Sequence, residues 1–455
     1  MSNGGTQNRA VGTGSALLVT LIFVALFACM AVALAVASES NLAISRNRLD
    51  VGQAHNLVET GLCLVQRESA SLNVSGSDAA AVHASLADHF RFAWADTGML
   101  DAYGIVSDAS GVTFPAVSVL GPDGRTGTVT VSMTADGGVQ DSPTITVTAN
   151  GQFAGATRTA YYDFHVRSGY RILSDYGLAS QAPISLTGAS KVDGANNDNE
   201  ASLFSCSESD TYGIDMGGTS EITGHAAVSG ENVGINKSGN ATIGGDEITD
   251  APDHDWPVPD PTHFEQYVES TYDGDGDEQD ATFSNIRIPA GTNPTFSNVN
   301  LYGLVYIESP NTVTFNGNAN ICGIVVCEEP TVENFDNNKL TFNGNLTASG
   351  VEYLPDDPRY DGIRKETGTF LLAPGFFAKF SGNSSMVNGY IAAGKLEFTG
   401  GASGTVRGGV LNLSDTSLTL AGGAHLTIDK ENADQQPAGF TRRYSLICVS
   451  GSYRE

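Results

Sequence analysis

The strongest pattern in the chain is an unbroken apolar run at residues 16–37, ALLVTLIFVALFACMAVALAVA, which carries no charge. At about 1.5 Å per residue a helix of this length spans roughly 33 Å, the thickness of a bilayer core. A secretory signal has a shorter apolar core, yet Ala35-Val36-Ala37 before Ser38 fits a small-x-small cleavage site, so removal after Ala37 stays open. Arg9 precedes the run and Arg46 and Arg48 follow it, which leaves the positive-inside count undecided. No second run of this kind follows. From Ser38 to Ser69 there is no proline, and Ile44, Val51, Val58 and Val65 recur on one helix stripe. The pattern predicts one continuous transmembrane and stalk helix over residues 16–70, preceded by a leader over 1–15.

Beyond residue 70 the period changes. Val82, Leu86, His89 and Phe90 have helical spacing within 71–100. From about 108 to 168, GVTFPAVSVL, GTVTVSM, PTITVTAN and TRTAYYDFHV alternate β-branched or aromatic residues with small polar ones. Gly-Pro-Asp-Gly and Ala-Asp-Gly-Gly turns separate them. This predicts a small α+β domain at 71–168 with an antiparallel sheet.

The remainder is repetitive. Gly303-Leu-Val-Tyr-Ile, Gly323-Ile-Val-Val-Cys, Gly389-Tyr-Ile-Ala-Ala and Gly409-Val-Leu-Asn-Leu each follow an aromatic: Phe296, Phe315, Phe380 and Phe398. The motif Thr314-Phe315-Asn316-Gly317-Asn318 recurs at Thr341 and, as Lys379-Phe380-Ser381-Gly382-Asn383, once more. A period near 20 with Asn-Gly corners marks stacked β coils, none of which buries its apolar face alone. The expectation is a mainly β protein whose C-terminal region, 172–430, is a right-handed parallel β-helix of about ten coils, roughly 50 Å long at about 4.8 Å per coil. A β-sandwich is the alternative. A Pro-rich insertion at 250–280 should be extended, and 431–455 reads as a tail.

Composition narrows the chemistry. The net charge of −28 and pI near 4.4 argue against nucleic acid and anionic headgroups. Six cysteines, Cys29, Cys63, Cys206, Cys322, Cys327 and Cys448, form no regular framework; a disulfide among the last five is expected if they face an oxidising compartment. Asp273, Asp275 and Asp277 alternate as Ca²⁺ carboxylates do, but Glu278 stands where an EF-hand loop wants glycine and Ser284 where it wants glutamate, so a solvated acidic loop is the competing reading. No other cofactor is indicated. Asp253-His254-Asp255 lies in the Pro-rich segment, and His225 and His425 are isolated. With no nucleophile elbow and no P-loop, the expectation is a non-enzymatic protein.

A resemblance adds to this. Gly14, the apolar run, Asn47-Arg48 and the stretch Ala54-His55-Asn56-Leu57-Val58-Glu59-Thr60-Gly61-Leu62 resemble the N-terminal region of PilX-type minor pilins of type IV pilus systems. The match covers about residues 9–68. Val58 stands where alanine is usual, and Val19, counted from Ser15, stands where major pilins keep a glutamate. The stretch TVTANGQFAGATRTAYYDF resembles the strand pair that follows the helix in such proteins. The repeats are similar in general pattern to polymer-forming, bactofilin-like β-helices. The resemblance implies prepilin processing between Gly14 and Ser15 and partnership with other pilin-like subunits through the helix. It also implies a single pass of the cytoplasmic membrane, with the bulk of the chain in the periplasm or at the cell surface. A membrane-anchored or secreted β-helix adhesin that binds a surface glycan is the alternative.

Overall fold

The computed structural model describes residues 13–455 apart from 70, 71, 73, 95–103, 122–123, 208–210, 231, 275, 432 and 435. The chain divides into two compact units, one of Met1–Arg167 with Ser445–Glu455 and one of Ser168–Tyr444.

The first unit is built on helix α1 (Thr13–Ser69), close to the expected bounds, and helix α2 (Ala79–Trp94). Six strands follow: β1 (Val106–Asp108), β2 (Gly111–Thr113), β3 (Val117–Leu120), β4 (Thr126–Ala135), β5 (Thr144–Phe153) and β6 (Ala156–Ser168). The sheet runs β1-β2-β4-β5-β6, is antiparallel, and gains a seventh strand, Tyr444–Cys448, against β6. The segment expected as a tail, 431–455, therefore returns to close this sheet. Ala54, Leu57, Val58, Leu62 and Val65 of α1 are buried, and α1 packs on β4 and β5. Of the seven-residue stripe only Val58 and Val65 are buried, because Ile44 lies beyond the reach of the sheet and Val51 at its edge. Helix and sheet approach closely where side chains are missing: a Cβ on Gly61 would meet Val129 Cγ2 at 2.9 Å, and one on Gly151 would meet the Ala54 carbonyl at 2.2 Å. Helix α2 is capped by Asp78, whose Oδ1 accepts from the Ala81 N–H at 2.9 Å. It buries Val82, Leu86 and Phe90 as its spacing predicts, and also His83. The His83 Nε2 accepts from the Ala135 N–H (2.8 Å), so Nδ1 carries the proton toward the Asp108 carbonyl (2.9 Å).

The second unit is a parallel β-helix. Among the described residues it has ten three-strand turns, as many as the repeats imply, but not in sequence order. The chain first makes turns 178–194, 203–222 and 226–243, ending in the strand Glu247–Ile248. Residues 250–269 then carry it past all of these. Seven further turns, 270–284, 286–303, 304–323, 324–349, 369–388, 390–407 and 410–429, lead back. The last turn stacks on the first: Val410 pairs with Leu178, Leu418 with Ile184, and His425 with Lys191. The rod is thus circularly permuted, and its entry and exit are neighbours, with the Gly169 N–H donating to the Arg443 carbonyl at 2.8 Å. A rod stacked in sequence order would separate these points by its whole length, whereas β6 and the Tyr444–Cys448 strand must lie side by side.

The interior explains the repeats. Phe296, Phe315, Phe342, Phe380 and Phe398 occupy one register and form a ladder with ring centroids 4.8–5.6 Å apart at interplanar angles of 20° or less. At the adjoining corner, a Cβ on Gly344 would lie 1.8 Å from the Gly317 carbonyl and one on Gly382 1.9 Å from that of Gly344, so turn spacing itself excludes a side chain. Outside the corner, Asn343 donates to Asn316, and Asn345 to Asn318, each at 3.1 Å. Gly303 and Gly323 pair as their spacing predicts. Gly389 and Gly409 do not: Ile391 pairs with Val410, which sets Gly389 opposite Gly408, one residue off the apparent period.

The continuous apolar runs have a second cause. One face of the rod is buried on both sides, which strands advertise by losing their alternation. The outward side chains Phe204, Leu304, Ile324, Val326, Leu372 and Leu411 lie under segments around 170–176, 251–268, 351–363 and 438–440. The Pro-rich segment is part of this cover. It is extended where Val258 accepts from the Thr441 N–H (2.9 Å), then forms the 3₁₀ helix Pro261–Tyr267 and buries Phe264.

Several polar groups within this cover titrate abnormally. Burial, with the Glu366 carboxylate 2.6 Å from its hydroxyl, pushes Tyr267 up to about 12, and burial also raises Tyr306 and Tyr390. Burial pulls the Lys430 ammonium down to about 8, although Nζ donates to the Tyr176 carbonyl at 2.6 Å and the Ser174 carbonyl at 3.0 Å. A depressed lysine opposes folding below its folded pKa and ceases to do so as pH rises toward the unfolded value. A raised phenol holds its proton while the unfolded chain ionises, so its contribution disappears above about pH 10. The melting temperature of the wild-type protein relative to Lys430→Met is therefore expected to rise between about pH 8 and 10.5. In both proteins the tyrosines lower it at higher pH. A difference that stays flat across pH 8 to 10.5 would contradict the assignment.

Candidate assembly helix

Helix α1 changes character near residue 50. Its C-terminal half is held by the sheet and by polar ties, including Arg125 to Asp50 at 2.6 Å and His55 Nδ1 to Glu455 at 2.5 Å. Its N-terminal half has no described neighbour. Leu17, Phe23, Phe27, Leu34, Leu42 and Leu49 are all more than half exposed. The helix is long and apolar enough to cross a membrane, and the chain continues it without a break for a further half-length. Burying that surface in lipid or against other helices would remove a large apolar area from water, at about 25 cal/mol per Å². Gly14 and Ser15 lie in the first turns of α1, and Val19 is exposed on it. The part of the leader up to residue 12, with Arg9, lies outside the described residues.

The other candidates are scattered. Asp273 and Asp277 are exposed, and Asp275 lies outside the described residues. Among the described residues no group of three or more His, Cys, Asp or Glu side chains is arranged to hold a metal ion. The Asp253-His254-Asp255 triplet diverges. His254 packs its ring against Tyr176 (5.4 Å) and Phe204 (4.9 Å), and burial lowers its pKa. Asp255 pairs with Arg443, and Asp253 is exposed. His225 Nδ1 accepts from the Asp246 N–H at 2.9 Å. His425 meets Asp193 at 2.8 Å, a contact between the last turn and the first that sequence reasoning had no means of seeing.

All six cysteines are unpaired, contrary to the expected disulfide. Cys322 and Cys327 sit on one strand, Asn318–Cys327, on either side of its corner at Gly323, and the extended residues between them keep them too far apart to bridge. Cys327 is fully buried, and its thiol pKa is raised by that burial.

No family model matches the chain, and no curated protein matches it. Among solved structures the chain is similar to the crystal structure of the competence-associated pilin ComZ from Thermus thermophilus. The identity is 12% and the TM-score 0.25, with 89% of this chain and 97% of that chain covered.

Proposed function

We propose that this chain is a non-enzymatic, minor pilin-like subunit of a bacterial type IV pilus or related secretion apparatus. Its α1 is anchored in the cytoplasmic membrane before assembly and packs with the helices of other pilin-like subunits afterwards. The β-helix is the part displayed in the periplasm or at the cell surface. The carrying observation is the construction of α1: one unbroken helix, apolar over residues 16–37 and exposed to Leu49, then seated on an antiparallel sheet through Gly61. A plain anchor needs only the first half. The divergent surroundings of the histidines and of the Asp253–Asp255 triplet support a structural rather than a catalytic role.

A second reading, a membrane-anchored or secreted β-helix adhesin, is favoured by Ala35-Val36-Ala37 before Ser38. The N-terminal residue of the mature protein separates the two. A start at Ser15 is expected for a processed pilin-like subunit. A start at Ser38 removes the assembly helix and sinks the first reading, and an unprocessed N-terminus leaves a simple anchor.

A further inference from the structure

The rod carries one surface whose charge runs against the rest of the protein. The chain has seven lysines in all, against a net charge of −28. Three of the seven, Lys339, Lys379 and Lys395, fall on three consecutive turns of a single face. Lys379 is tied to Glu397 at 2.7 Å. Lys339 and Lys395 make no ion pair among the described residues. They pair in register with Phe377 from the turn before and the turn after it, and their Nζ atoms lie 5.2 and 4.7 Å from its ring centroid. The ring acts as a spacer. It holds two ammonium groups two turns apart, about 10 Å along the rod axis.

The strands of this face alternate, and Thr312 and Thr341 continue the outward rows beside the lysines. Phe377 is an apolar residue on the outward side of a strand whose inward side already supplies Phe376, Ala378 and Phe380 to buried positions. Neither core packing nor ion pairing accounts for the two lysines and the ring together.

We propose that Lys339, Phe377 and Lys395 form a binding site for an acidic polysaccharide lying along the rod, with carboxylates of separate sugar units meeting the two ammonium groups. The apolar edge of Phe377 packs against the C–H face of the sugar between them, and the threonine hydroxyls meet sugar hydroxyls. A uronate polymer suits the site because it combines carboxylates with apolar C–H and hydroxyl surfaces. Nucleic acid suits it less, since tight phosphate binding calls for many clustered Lys and Arg, and only two free cations stand here on a strongly acidic protein. The proposal stands independently of the assembly reading.

The test uses the full chain in detergent micelles and immobilised polygalacturonate, with the carboxyl-reduced polymer as control. The wild-type protein is expected to bind polygalacturonate, less tightly as salt rises, and not the reduced polymer. Lys339→Gln with Lys395→Gln is expected to weaken binding by at least about tenfold, and Lys339→Arg with Lys395→Arg to retain it. Lys191→Gln with Lys237→Gln makes the same change in net charge at lysines already paired with Glu221 and Glu247; that pair should bind as the wild type does. The proposal is overturned if the wild-type protein does not bind polygalacturonate or if both glutamine pairs lose binding equally. Tighter binding of single-stranded oligothymidylate than of polygalacturonate would overturn it as well.

Discussion

Leu26→Lys is expected to leave the protein in the membrane fraction and to remove it from assembled filaments. A lysine at the centre of a span costs about 2.5–3.5 kcal/mol on the insertion scale, while each large apolar residue contributes about 0.3–0.6 kcal/mol. The run from Leu17 to Val36 contains enough of the latter to absorb one lysine, the more so because a long side chain can reach toward the interface. A bundle of helices has no such outlet: an ammonium group buried among apolar side chains has neither water nor a partner. Membrane fractionation and recovery from sheared filaments therefore move apart in this variant. Normal recovery in filaments would sink the assembly reading, and loss from the membrane fraction would contradict the account of anchoring. A plain anchor predicts no difference between the two measurements.

The second large effect is in the rod. Phe342→Ala should cost about 3–5 kcal/mol, the range for removing a buried aromatic from a packed core. Phe342 is the middle ring of the five, stacked on Phe315 at 4.9 Å and on Phe380 at 4.8 Å, and only 2% exposed. Its loss leaves a gap that neighbouring turns cannot close without changing their spacing. Phe377→Ala, on the outward side of the next turn, removes a ring of similar size and should cost well under half as much. Chemical denaturation of the two variants under one condition gives the comparison. Equal losses would show that the ladder has no special part in holding the turns together.

Local pattern was enough to place α1, α2, the antiparallel strands and the repeating turns, because each announces itself within a short window. Apolar period separates α1 from the strands, and the spacing of Phe315, Gly317 and Gly323 marks a turn of the rod. What a window cannot show is which turn touches which. Residues 178–194 and 410–429 look like any two repeats, and only the fold makes them neighbours. The same limit hid the strand Tyr444–Cys448, whose partner β6 lies nearly 280 residues upstream. It also hid the meeting of His425 with Asp193 and the unpaired state of the cysteines. The first three turns lacked the aromatic signal for a plainer reason. In the register of the phenylalanine ladder the first two carry Leu186 and Met216, which fill the same space without a recognisable motif, and the third carries the exposed Lys237. The Lys339–Phe377–Lys395 arrangement spans 57 residues of sequence and becomes a feature only when three turns are stacked.

The permuted order of the turns bears on how such a protein can change in length. Both tips of the rod, the strand Glu247–Ile248 and the turn 270–284, lie in the interior of the sequence, joined by the Pro-rich strap. Entry and exit sit between the tips, three turns from one and seven from the other. Turns can therefore be duplicated or deleted at either tip, with a matching change in the strap, while the crossing at Gly169 and Arg443 stays as it is. The reach of the molecule is free to drift between lineages without any renegotiation of its attachment.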